Sequence, residues 1–180
     1  MGKAEYALGV YCGVTFAGIK VAGLFRLEKE ELESLRECMR RFHEKGFAFT
    51  VLKEDETRVL VYVYHEKKLK EVLLEVGARA FLRARGYEYT NEKEAIKELK
   101  KRMGRKEFPH EVGVFLGYPL EDVEGFIEHP QEGVLVAGCW KAYARAEEKK
   151  KTFERLHRCS ENIRERLLRG QCLTTIFRVG

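Results

Sequence analysis

The sequence predicts an α+β fold: a single domain over residues 1–180, with a mixed or antiparallel sheet whose hairpin packs against several helices. Three observations predict it. Two runs of alternating residues, 47–52 and 58–64, flank a charged five-residue connection and read as a β-hairpin. Stretches near 28–45, 66–85 and 146–169 carry apolar residues at helical spacing. Helices and strands do not alternate strictly, which argues against a doubly wound sheet. A chain of 180 residues with 44% apolar content can bury one proper core.

Taken in order, residues 8–16 read as a buried strand, with Gly9 and Gly13 marking bends or close approaches to the backbone. Lys20 follows in a loop, interrupting an apolar stretch that runs to Phe25; such a lysine either snorkels to water or meets an anion. Residues 28–45 form an amphipathic helix with Leu32, Leu35, Met39 and Phe42 on one face and Gly46 as its stop. In the hairpin, Val59, Val61 and Val63 share one face and Leu60, Tyr62 and Tyr64 the other, so both faces are suited to burial. A helix over 66–85 turns Leu69, Leu73, Val76 and Ala80 inward and is weakened or broken at Gly77. Asn91, with Glu94 three residues on, resembles a capping box and opens a helix through Ile96, Leu99 and Met103. Residues 133–143 read as extended with a bend at Gly138, and residues 146–169 as a long helix ended by Gly170. The tail alternates Leu173, Phe177 and Val179 against Cys172, Thr174 and Arg178, which predicts a final strand returning to the sheet.

Charged residues make up 35% of the chain, with both signs interleaved along helices, as solvated faces require. The net charge of +5 gathers most densely at Lys100, Lys101, Arg102, Arg105 and Lys106. That run is short, has Glu94, Glu98 and Glu107 beside it, and accompanies no nucleic-acid motif, so it reads as a solvated face ahead of a nucleic-acid patch, with steering of a small anion toward the adjacent motif as a further alternative. Five cysteines without a C-x-x-C pair form neither a zinc nor a disulfide framework. The uncharged run 6–19 is too short and glycine-interrupted to span a bilayer. The expectation is a cytoplasmic chain with reduced thiols, bound neither to membrane nor to nucleic acid.

Glycines, prolines and aromatics concentrate around one histidine in 108–127, Phe-Pro-His-Glu through Gly-Tyr-Pro to Gly-Phe-Ile. The spacing predicts two short helices meeting at Gly117-Tyr118-Pro119. If Pro109 starts the first, His110 and Glu111 lie at its positive end, which favours a carboxylate and a neutral imidazole. His110 and Glu111 are then a candidate acid/base pair, although sequence neighbours on a helix point in different directions. Scaffold roles, His110 buttressing the corner and Glu111 and Asp122 stabilising helix starts, explain the same residues. Gly138-Cys139-Trp140-Lys141-Ala142-Tyr143 is ambiguous in the same way: Trp140, Lys141 and Tyr143 can hold a flat or anionic ligand, or Lys141 can simply pair with a carboxylate. Cys12, near Lys20 in sequence, is a weak candidate thiolate ligand for haem or iron; a buried inert thiol is the simpler reading. No dinucleotide-binding glycine motif, P-loop, H-E-x-x-H or G-x-S-x-G occurs.

The central stretch, F-P-H-E-V-G-V-F-L-G-Y-P followed by D-V-E-G-F-I, resembles the hallmark of an uncharacterised bacterial family found mostly in anaerobes, domain of unknown function 3793. Cys12 to Thr15, Ala17-Gly18-Ile19-Lys20 and Leu24-Phe25 are similar to its N-terminal block, and Gly138, Trp140-Lys141, Tyr143, Ala146, Phe153 and Cys159 to its C-terminal one. The chain departs from it at Val14 and Val21, where the family usually carries proline. The resemblance implies positions rather than a mechanism. Two classes of function follow. In the first, Lys20, His110, Glu111, Tyr118, Trp140 and Lys141 line one cleft for a small anionic ligand or cofactor, a flavin or haem among the candidates. In the second, a non-catalytic interaction module partners a redox protein and the same motifs are structural.

Overall fold

The computed structural model describes residues 2–179. Helix α1 (Lys3–Phe16) leads through a tight bend to strand β1 (Ala22–Glu28). Two 3₁₀ turns precede α2 (Arg36–His43), and the hairpin follows as β2 (Phe47–Glu54) and β3 (Arg58–His65). Next come α3 (Glu66–Leu74), α4 (Val76–Ala84), α5 (Glu92–Met103), α6 (Val112–Phe115) and α7 (Leu120–Glu128). A short ribbon of β4 (Val136–Ala137) and β5 (Lys141–Ala142) leads to the long α8 (Ala146–Leu168) and a terminal α9 (Leu173–Phe177). No described helix is long and apolar enough to cross a membrane.

The described residues divide into two compact units, one of residues 1–68 with 159–180, the other of 69–158. The first is built on an antiparallel sheet of order β1-β3-β2. Val59, Val61 and Val63 of β3 face a core shared with Leu8 and Cys12 of α1, Phe42 of α2, Ile163 and Leu167 of α8, and Leu173 and Ile176 of α9. Phe16 stacks on Phe42 at 3.9 Å between ring centres and meets Phe47 edge-on. Tyr62 and Tyr64, on the other face of β3, are buried as well, as the two-sided apolar pattern requires.

Two segments expected as strands are helices. Residues 8–16 belong to α1, where Ala4, Leu8, Cys12 and Phe16 recur at four-residue spacing and are all buried. Its glycines permit close packing: a Cβ on Gly9 stands 2.6 Å from Leu167 Cδ1, and one on Gly13 2.9 Å from Ile163 Cδ1. The tail folds as α9, because Leu173 and Ile176 share a helical face that the core receives. The sheet is completed instead by β1, in the apolar stretch after Lys20. The helix expected over 28–45 is α-helical only from Arg36, its first half being the 3₁₀ turns. The helical break expected at Gly77 falls at Glu75, whose carboxylate caps α4 by accepting from the Ala78 N–H.

In the second unit, α5 starts as its capping signal indicates. Asn91 Oδ1 accepts from the Glu94 N–H, while the Glu94 carboxylate reaches back to the Thr90 N–H, one residue earlier than a standard capping box. Its core gathers Leu73, Leu82, Leu99, Phe115, Val123 and Leu156.

Candidate functional site

The second unit builds a cavity from its central motif. Val112 N–H bonds to the Pro109 carbonyl, so the chain coils immediately after that proline, and α6 has only one turn with His110 just ahead of it. Gly117 ends the turn at φ +74°, a conformation that suits glycine, and Pro119 directs the chain into α7. The two helices approach so closely that a Cβ on Gly113 stands 2.8 Å from Val123. This Gly-Tyr-Pro corner is one wall.

The turn between β4 and β5 is the other wall, and Asp122 fastens it. This carboxylate is 2% exposed and lies in the first turn of α7. Its Oδ1 accepts the Tyr143 N–H at 2.8 Å, and its Oδ2 accepts the Trp140 indole N–H at 2.8 Å and pairs with Lys149 Nζ at 2.9 Å. Lys149, itself buried, also reaches Glu121, which Arg145 pairs from outside. A buried carboxylate is tolerated when its charge and lone pairs are matched, and here they are. Trp140 is thereby held flat against Tyr118, with ring centres 4.7 Å apart, and edge-on to Phe153 at 4.6 Å.

Between these walls lies a cavity of about 570 Å³, within the range of small-ligand sites. Val112, Leu116, Val123 and Phe126 give it an apolar floor, and Tyr118 and Trp140 flat aromatic surface. Two polar side chains approach Phe126. The His110 ring meets it edge-on at 5.2 Å, and Lys141 Nζ lies 5.7 Å from its centre while donating to the Pro130 carbonyl at 2.6 Å. His110 is exposed and also meets Phe108 edge-on.

Of the residues singled out in sequence, His110, Tyr118, Trp140 and Lys141 line this cavity together. Glu111 is placed differently from its neighbour. It is buried and accepts the Tyr87 hydroxyl at 3.0 Å, with Arg102 of α5 at 3.4 Å, an arginine that also pairs with Glu98 and lies over the Tyr87 ring. Glu111 thus ties the motif to α5 and is not placed as a base in the cavity. Tyr143 packs its ring on Gly125 and donates its hydroxyl to the His129 carbonyl, stiffening the ribbon from behind. Lys20 lies in the first unit, in the bend between α1 and β1. Its charge does act on Cys12, but burial has the larger effect and pushes that thiol far up, so Cys12 is a neutral core residue. Among the described residues no three His, Cys, Asp or Glu are grouped to hold a metal ion.

Asp122, Phe126 and Lys149 were not singled out as site residues. Asp122 and Phe126 fall inside the recognisable motif, so their positions were visible. Their roles were not, because the partners of Asp122 come from residues 18 to 27 positions later.

No curated protein and no solved structure matches the chain. A family model described as "Protein of unknown function (DUF3793)" matches residues 8–177, nearly its whole length, and includes both walls of the cavity. The chain therefore belongs to that family, as its Phe-Pro-His-Glu and Cys-Trp-Lys-Ala-Tyr blocks indicate.

Proposed function

We propose that this is a cytoplasmic protein of anaerobic bacteria whose second unit binds a small planar anion, a cofactor or metabolite of flavin-like shape. The observation that carries the reading is the pairing of flat aromatic walls with His110 and Lys141 in one cavity. An aromatic or conjugated ligand gains from stacking and from burial of its faces. Its carboxylate or phosphate gains from a lysine in partly desolvated surroundings. His110, exposed and in edge-on contact with the Phe108 and Phe126 rings, is placed to donate to the same group or to carry a proton.

Native mass spectrometry and absorption spectroscopy of the purified protein test this, with flavin mononucleotide and haemin as added probes. His110→Ala is expected to abolish probe binding while the melting temperature stays close to that of the unaltered protein. A large loss of thermal stability with binding intact would make His110 part of the scaffold. The Phe108 ring, 53% exposed beside the cavity, favours a second reading, a docking face for a redox protein. That reading takes the lead if no planar anion binds.

A further inference from the structure

The first unit brings two free thiols to the contact between α2 and α9. Cys38 lies on α2, one turn before Phe42, and Cys172 immediately precedes α9. The two helices pack on each other, and α1 fixes their direction. Phe42 and Phe177 meet edge-on at 5.9 Å, and both rings lie against Phe16 at the end of α1. Glu5, in the first turn of α1, accepts the Leu173 N–H at 2.7 Å, so α9 points the same way as α1. The charge of Glu5 reaches Cys38 and Cys172 alike, and that of Cys172 reaches Cys38. Helix α2 therefore carries its thiol back toward the start of α9.

The two thiols differ as an attacking and a resolving sulfur do. Cys172 is partly exposed, with the Thr174 and Thr175 hydroxyls 3.2 and 3.0 Å from its Sγ. By donating to the thiolate, those hydroxyls hold the thiol below its usual range. Cys38 packs against the core instead, and burial, with the charges of Glu5 and Cys172, pushes it up to about 12. The thiolate is the attacking form, so an incoming disulfide meets Cys172 first and Cys38 afterwards.

We propose that Cys172 and Cys38 are a thiol–disulfide exchange site, at which a small-molecule disulfide closes a reversible bond between α2 and α9. The Cys172 thiolate attacks one sulfur of the disulfide, RSSR, forming a mixed disulfide and expelling a thiolate that leaves protonated as RSH. Cys38 then gives up its proton and attacks the Cys172 sulfur, and the second expelled thiolate takes that proton. Two protein thiols are oxidised and one disulfide is reduced to two thiols. The mixed disulfide also removes the Cys172 charge that opposed ionisation of Cys38, so the first step prepares the second. In a reducing compartment such a bond is transient, as in redox-sensing pairs. None of these residues belongs to the aromatic cavity. Incubating the reduced full chain with oxidised glutathione, then alkylating the remaining thiols and mapping peptides by mass spectrometry, tests the site. The expected product has lost two hydrogens, links the peptides carrying Cys38 and Cys172, and reverts with dithiothreitol. Cys38→Ser is expected to stop with one glutathione on Cys172, and Cys172→Ser to leave Cys38 unmodified. No reaction at Cys172, a mixed disulfide there that never gives way to the cross-link in the unaltered protein, or a cross-link to a third cysteine would each overturn the assignment. Cys38 modified as fast in Cys172→Ser would overturn it as well. Should a serine variant fail to fold, the peptide map of the unaltered protein decides alone.

Discussion

Asp122 carries more of the site than any residue that touches the cavity through an exposed side chain. Its removal leaves Lys149 charged and buried without its closest partner, and loss of one member of such a pair costs about 3–5 kcal/mol. Asp122→Ala is therefore expected to lower unfolding free energy by about that amount in urea titrations. The emission of Trp140, the single tryptophan, should shift as its indole N–H loses its acceptor. A loss below about 1 kcal/mol, the scale of an ordinary surface pair, would show that the network does not hold the ribbon. Glu111 offers the complementary case. Glu111→Gln removes the charge that faces Arg102 and is expected to cost about 1–3 kcal/mol, while affinity for a planar anion stays within about twofold. A strong loss of affinity at unchanged stability would return Glu111 to the cavity chemistry. His110 and Lys141 were legible in sequence because polar residues among glycines and aromatics stand out. The engagement of Glu111 was not, since Tyr87 and Arg102 belong to segments that sequence order does not bring to it.

At the scale of elements, α7 and the ribbon meet through Gly125. A Cβ there stands 2.4 Å from Tyr143 Cγ, at the root of a ring that the His129 carbonyl also holds. Alanine gains up to about 1 kcal/mol of helix propensity over glycine, but overpacking a rigid contact costs about 1–3 kcal/mol. The clash wins, so Gly125→Ala is expected to lower the melting temperature and weaken planar-anion binding together. A more stable variant would show that the ribbon moves freely on α7. The hairpin, the capped α5 and the paired short helices were all legible, because alternation, capping residues and proline-glycine punctuation are local signals. Residues 8–16 and 173–179 were not read correctly. A short apolar run with interspersed glycines fits a buried strand and a buried helix alike, and what decides is packing. Gly9 and Gly13, four apart, let α1 lie close on Leu167 and Ile163, partners more than 140 residues away. Strand β1 lacked a polar alternation to mark it, since Ala22, Gly23, Phe25 and Leu27 are all buried.

For the whole molecule, each unit has its own core, and carboxylates in ion pairs give the chain a predictable acid limit. Burial pushes Glu98 up, but hydrogen bonds from Lys101 and Arg102 outweigh it and hold the carboxyl below its usual range. Glu121 behaves alike, burial being outweighed chiefly by Arg145. A carboxyl whose folded pKa is depressed stabilises the protein above its unfolded value of about 4.3, and that stability is lost as pH falls through the folded value. Melting temperature should therefore decline as pH drops below about 4.5. A melting temperature unchanged down to pH of about 3 would contradict these pairs.

Trp140, the single tryptophan, is in the wall of the aromatic cavity and reports directly on a planar anion bound there. Titrating the protein with flavin mononucleotide while following Trp140 emission tests this in one measurement. Saturable quenching is expected, and Lys141→Ala is expected to weaken it by about tenfold without lowering the melting temperature, the effect of losing one charge-assisted contact. Emission that declines only linearly with added flavin, or identical binding curves for the two proteins, would contradict it.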